Sequence, residues 1–272
     1  MPRQTFIRAG TELALWDLGG DGRPALLVHG LAGHAEEWTE TAAWLRGSRH
    51  VLALDLRGHG HSERRPTDVS PRALREDVCF ALEQIGEPAL LLGQSLGGRI
   101  AILAAAARPE LVECLVVAEA GPEGTADGGK MMAAEMAVGL DEWPVPFADV
   151  AAAQEYFGGP GVHADAWTRG LRQEPDGLYP RFEIEVLGRM VQEAVADGCW
   201  EAWSRIACPT LVVRGAQSSQ LPSEEVSLML TELSRARCAE VPEAAHELHL
   251  EEPALWRAAV SGFLDEVAKP AG

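Results

Sequence analysis

The residues in this chain best suited to chemistry are Gly93-Gln94-Ser95-Leu96-Gly97. A serine hydroxyl becomes a useful nucleophile when a base can take its proton and a sharp turn exposes its oxygen. Glycines two residues to either side leave room for a strand and a helix to approach closely, and Gly98 adds more. The apolar run 89–92 reads as the strand and 96–107 as the helix. That helix directs its N-terminus at the serine, where free N–H groups and the dipole favour developing negative charge. The chemistry implied is covalent catalysis at a carbonyl; the competing reading is a glycine-rich turn with an incidental serine.

The elements that would position this serine follow a regular rhythm. Apolar runs at 12–18, 25–29, 51–55, 89–92, 111–118, 210–214 and 237–241 read as strands, several of them continuous enough to be covered on both faces. Helical patterns lie between them, around 36–45, 71–85, 96–107, 223–233 and 253–267. Ser70 with Pro71, and Ser223 with Glu224 and Glu225, mark helix starts. The alternation predicts an α/β chain: a doubly wound, mostly parallel sheet with helices on both faces. The rhythm fails between 122 and 206. There Pro and Gly breaks separate helix-like segments carrying Trp143, Trp167, Trp200 and Trp203, and no strand is expected. The chain thus divides into a core, residues 1–121 and 207–272, and a helical lid inserted at 122–206.

Composition narrows the function classes. Of 272 residues 47% are hydrophobic, enough for a sizeable core. The formal charge of −18 disfavours phosphate backbones and anionic lipids, so neither nucleic acid nor membrane is an expected partner. No apolar run approaches a bilayer span. Residues 1–6 lead into strand-like sequence without an apolar signal core, so a cytoplasmic location is expected. The five cysteines, Cys79, Cys114, Cys199, Cys208 and Cys238, form no Cys-x-x-Cys pair, which gives little support to disulfides or zinc. No dinucleotide fingerprint is present, so neither metal nor organic cofactor is expected.

Three further motifs join the serine: His29-Gly30-Leu31-Ala32-Gly33 after the run 25–29, Asp55-Leu56-Arg57-Gly58-His59-Gly60-His61-Ser62 after 51–55, and Val241-Pro242-Glu243-Ala244-Ala245-His246-Glu247 near the end. With them the chain resembles the α/β-hydrolase superfamily over nearly its whole length. The resemblance implies an oxyanion hole formed by the N–H groups of Leu31 and Leu96. It implies that His246 is the base for Ser95, with His249 as runner-up and nucleophile preceding histidine in chain order. It makes the Asp55–Ser62 loop structural, so His59 and His61 are not base candidates. His29 is read as orienting its loop and His34 as a pocket-rim residue.

The resemblance also has a gap. Relatives mostly carry the triad acid after the strand that here is 210–214, where this chain places Ser218. Some carry it after the preceding core strand, where this chain has Glu119. Either Glu119 is the acid, or the triad is incomplete and the chain is a weak hydrolase or a ligand-binding member. The expected substrate is a small, largely apolar ester, thioester or lactone, with Trp143, Trp167 and Met132 (beside Met131 and Met136) as candidate pocket lining. Their plainer reading is packing within the insertion. Carbon–carbon bond hydrolysis remains the alternative chemistry.

Overall fold

A computed structural model describes residues 1–124 and 126–269. The strands are β1 (Arg3–Arg8), β2 (Thr11–Gly19), β3 (Arg23–Val28), β4 (Arg49–Asp55), β5 (Ala89–Gln94), β6 (Val112–Ala118), β7 (Leu171–Glu174), β8 (Gly177–Pro180), β9 (Thr210–Gly215) and β10 (Ala236–Val241). The helices are α1 (Thr39–Leu45), α2 (Pro71–Ile85), α3 (Leu96–Ala107), α4 (Ala126–Asp141), α5 (Val150–Tyr156), α6 (Val162–Arg169), α7 (Ile184–Ala196), α8 (Trp200–Ser204), α9 (Ser223–Glu232), α10 (Leu248–Glu251) and α11 (Pro253–Val267).

Eight strands form one sheet in the order β1-β2-β4-β3-β5-β6-β9-β10. β1 with β2 and β2 with β4 run antiparallel, and every other pair is parallel. The continuous apolar strands follow from burial on two faces, because successive side chains point to opposite sides. Leu26, Val28, Leu91, Leu115 and Val117 pack with Leu74, Val78 and Leu82 of α2 and Ile100 of α3. Their neighbours Ala25, Leu27, Leu90, Leu92 and Val116 pack on the other face with Leu45 of α1 and Trp256, Val260 and Phe263 of α11. The doubly wound α/β sheet expected from the sequence is therefore present.

Local signals hold as well. Ser70 caps α2 by accepting from the Ala73 N–H at 3.2 Å, Pro71 opens that helix, and Gly86 closes it in the left-handed region. No helix among the described residues is long and apolar enough to cross a membrane.

Between β6 and β9 lie α4 to α8 and the β7–β8 pair. That pair corrects the expectation of no strand in 122–206. Leu171–Glu174 and Gly177–Pro180 form an antiparallel hairpin around Pro175-Asp176, extended by a bridge from Phe147 to Leu178. Each strand has four residues and mixes polar with apolar ones, too short to show a period of two. The legible signal was the Pro-Asp-Gly turn itself.

Register then sets the stage for the site. Val28 pairs with Gly93, Gln94 with Ala118, and Ala118 with Val213. The segments leaving β3, β5, β6 and β9 therefore emerge side by side at the carboxyl edge of the sheet, where open α/β sheets gather their reactive groups.

Candidate active site

Ser95 sits between β5 and α3 with φ 52° and ψ −120°, a conformation most side chains avoid. The surroundings enforce it. The Ser95 N–H donates to the Ala118 carbonyl at 2.8 Å, and its own carbonyl accepts from Arg99 N–H at 3.0 Å. Strand and helix approach so closely that a methyl at Gly97 would run into the carbonyl oxygens of Val28 and His29. Leu96 opens α3, so its N–H is among those the helix cannot satisfy.

His246 reaches this serine from the loop after β10. Its Nε2 lies 2.9 Å from Ser95 Oγ, and its Nδ1 lies 3.2 Å from Glu119 Oε2. The Glu119 side chain is fully buried while that of His246 is 36% exposed, so the carboxylate is the inner end of the row. Glu119 directly follows β6, has φ 52°, and donates its N–H to the Val213 carbonyl at 2.9 Å. Gly215 N–H donates to Glu119 Oε1 at 2.6 Å, and the Ser218 hydroxyl donates to Oε2. Ser218, at the position where the resemblance leads one to expect an acid, thus touches the carboxylate that follows the neighbouring strand.

The histidine loop is held from several sides. Gln94 Nε2 donates to the His246 carbonyl at 2.9 Å. Glu251 accepts from the N–H of Ala245 at 2.5 Å and of Glu247 at 2.8 Å, one on each side of His246. The left-handed residue of this turn is Glu243 at φ 63°, so no glycine is required at 245. The glycine that is required is Gly215, whose Cβ would strike the Ala244 and Ala245 carbonyls passing over it.

The other histidines have separate tasks. His249 is buried, stacked on Trp38 with centroids 4.4 Å apart, and lies 3.4 Å from Glu37 rather than at the serine. His29 Nε2 accepts from Leu56 N–H at 3.0 Å while its Nδ1 donates to the Gly30 carbonyl at 2.7 Å. His59 Nε2 accepts from Ala32 N–H at 3.2 Å and its Nδ1 donates to the Arg57 carbonyl at 3.1 Å. Burial holds both imidazoles below their ordinary range, His59 down to about 3. Two neutral histidines therefore brace the loop that carries Leu31. His61 stacks edge-on against Trp16, and burial pushes it down to about 4. His34 lies against the insertion, with Nε2 2.9 Å from the Ala166 carbonyl.

A family model described as "Alpha/beta hydrolase family" matches residues 25–259. The chain belongs to the alpha/beta hydrolase family. This hydrolase is 30% identical over 263 residues to the sn-1-specific diacylglycerol lipase ABHD11 of Mus musculus, covering 91% of this chain and 83% of that one. It is 26% identical over 257 residues to the 2-(acetamidomethylene)succinate hydrolase of Mesorhizobium japonicum, covering 90% and 89%. Among solved structures, E-2-(acetamidomethylene)succinate hydrolase superposes with a TM-score of 0.85 at 22% identity, covering 97% of this chain and 99% of that one, which speaks for the fold alone.

Over the hydrolase core, the insertion brings Trp143 and Trp167 edge to face at 5.5 Å. Both pack with Leu31, Ala32, Met136, Leu140 and Phe182. Met132 is half-buried on α4 and is not part of this group, whereas Met136, one turn further on, is. Trp167 Nε1 donates to Glu247 Oε2 at 3.3 Å, and His163 Nε2 lies 2.6 Å from the same oxygen. That hydrogen bond raises His163 above the ordinary histidine range. The residue next to His246 is therefore tied to α6. Sequence reading missed the roles of Gln94, His59 and Glu247, which act across long chain separations, and of Glu251, whose partners lie only a few residues back in its own loop. The one local hint was the placement of Gln94 and Glu247 beside motif residues.

Proposed function

We propose that this chain is a serine hydrolase that cleaves an ester, thioester or lactone of a small, largely apolar substrate. The row Ser95 Oγ, His246 Nε2, His246 Nδ1, Glu119 Oε2, with spacings of 2.9 and 3.2 Å, carries this reading. Ser95 Oγ attacks the carbonyl carbon as its proton passes to His246 Nε2, while Glu119 holds the Nδ1 proton and stabilises the imidazolium. The oxyanion is received by the N–H groups of Leu31 and Leu96, each such donor contributing roughly 10²–10³ in rate. Collapse expels the alcohol or thiol, which takes the proton from His246. Water activated by the same histidine then releases the acid and restores Ser95.

The apolar group of Trp143, Trp167, Phe182 and Met136 beside Leu31 supports an apolar acyl or alcohol portion. Similarity to a diacylglycerol lipase supports an ester bond. Similarity to a hydrolase named for 2-(acetamidomethylene)succinate favours a second reading, in which the bond broken is not an ester. The five cysteines are free, which supports a reducing, cytoplasmic setting.

Turnover of p-nitrophenyl esters of short to medium chain by the wild type, lost in Ser95→Ala, tests the proposal. Labelling of Ser95 by a fluorophosphonate without turnover of any ester would move the reading to another bond. Neither labelling nor turnover in folded protein would refute it.

A further inference from the structure

We infer that Ser218 is a positioning residue that fixes the orientation of Glu119 and, through it, the tautomer of His246. The inference rests on the reading of Glu119 as the acid. A glutamate has more rotatable bonds than an aspartate and needs holding at both oxygens to present one of them reproducibly. Gly215 N–H holds Oε1 at 2.6 Å, but a carboxylate pinned at one oxygen can pivot about that point. The Ser218 hydroxyl pins the other oxygen, the one 3.2 Å from His246 Nδ1. The direction of its proton is settled by its second partner: Ser218 Oγ accepts from Gln220 N–H at 3.1 Å, so its single proton is free to point at Glu119. Three donors thus converge on two oxygens, one of them the imidazole. Ser218 is half-buried while Glu119 is not exposed, which places the hydroxyl on the solvent side of the carboxylate.

Because the family places its acid at either of these two positions, the same contact offers a second test of the pair. Ser218 Oγ lies within one hydrogen bond of the oxygen that faces His246. A carboxylate built on residue 218 extends one bond beyond the Oγ position, toward the space that Glu119 Oε2 leaves when residue 119 is shortened.

The experiment reads kcat and KM on the p-nitrophenyl ester, the rate at which a fluorophosphonate labels Ser95, and the thermal midpoint. The variants are Glu119→Gln, Glu119→Ala, Ser218→Ala, Ser218→Thr and the double variant Glu119→Ala/Ser218→Asp. Ser218→Ala is expected to lower kcat and the labelling rate about 10- to 100-fold, the range for one hydrogen bond to a charged group, with KM unchanged. Ser218→Thr, which keeps the hydroxyl, recovers most of that loss. The double variant exceeds Glu119→Ala alone by about tenfold or more, a gain that loop packing alone would not produce. Wild-type kcat and labelling in folded Ser218→Ala, beside an inactive Glu119→Gln, overturns the role of Ser218 and leaves Glu119 in place. An active Glu119→Gln, or a wild type that is never labelled, removes the reading of the acid and this inference with it.

Discussion

Replacing Glu119 by Gln changes almost no volume, so its effect can be worked from donors and acceptors. The carboxylate receives Gly215 N–H on Oε1 and both Ser218 O–H and His246 Nδ1–H on Oε2. An amide offers one oxygen. If that oxygen stays with Gly215, the NH₂ group faces Ser218 and Nδ1. The imidazole must then accept at Nδ1 and carry its proton on Nε2, 2.9 Å from Ser95 Oγ, where it donates to the nucleophile instead of deprotonating it. If the oxygen turns toward His246, the NH₂ group confronts the Gly215 N–H in a site without solvent, at about 1–3 kcal/mol for the unmet donor. Both arrangements leave the imidazolium without a counter-charge. The expected loss is about 10³- to 10⁴-fold in kcat, or about 4–5.5 kcal/mol. Ester turnover with KM resolved from kcat, and a thermal midpoint to establish folding, measure it. A folded variant with kcat within about threefold of wild type would show that His246 is oriented by something else.

Two further outcomes are expected. His29 and His59 are neutral when folded, His59 down to about 3, whereas in the unfolded chain each regains a value near 6.5. Their contribution is therefore complete above about pH 6.5 and is lost as pH falls through that value toward about 3. The thermal midpoint should already decline between about pH 6.5 and 5, above the carboxylate range, and less steeply in His59→Gln; equal slopes would contradict the assignment. Arg99→Leu should destabilise by about 2–4 kcal/mol. It strips a buried guanidinium from the carbonyls of Gly121, Glu123, Ala194 and Asp197, and an unchanged thermal midpoint would argue against that count.

The core was legible because covering a parallel strand on both faces forces a continuous apolar run. Thus 89–92, 111–118 and 210–214 declared themselves as strands without any long-range knowledge. Ser95 was legible because the close passage of α3 over Val28 and His29 demands Gly97 in the local sequence. Glu119 entered the reading through a vacancy at 218, and the sheet order sets those positions on adjacent strands. What stayed hidden was contact across sequence. Nothing in the neighbourhood of His59 shows that its ring would receive the Ala32 N–H, nor does Gln94 announce that it would hold the His246 carbonyl. The β7–β8 hairpin stayed hidden for another reason, since its strands are too short and too polar to carry a periodicity. Met132 and Met136 share a face of α4, and Met136 joins Trp143 and Trp167 because the contact lies one turn further along, at the end of the helix that also brings Leu140.

Arg99 stands one helical turn after the nucleophile and grips both roots of the insertion, through Gly121 and Glu123 on the outgoing side and Ala194 and Asp197 on the return. Glu119 lies two residues before the first of those roots. Glu247, beside His246, holds the insertion's middle through His163 and Trp167. The helix after Ser95, Glu119 and the loop of His246 are thus all fastened to the segment between β6 and β9. The roots cannot swing without disturbing the alignment of Ser95, His246 and Glu119. A change at either root, or at the α6 tether, is therefore carried to all three through chain neighbours and direct hydrogen bonds.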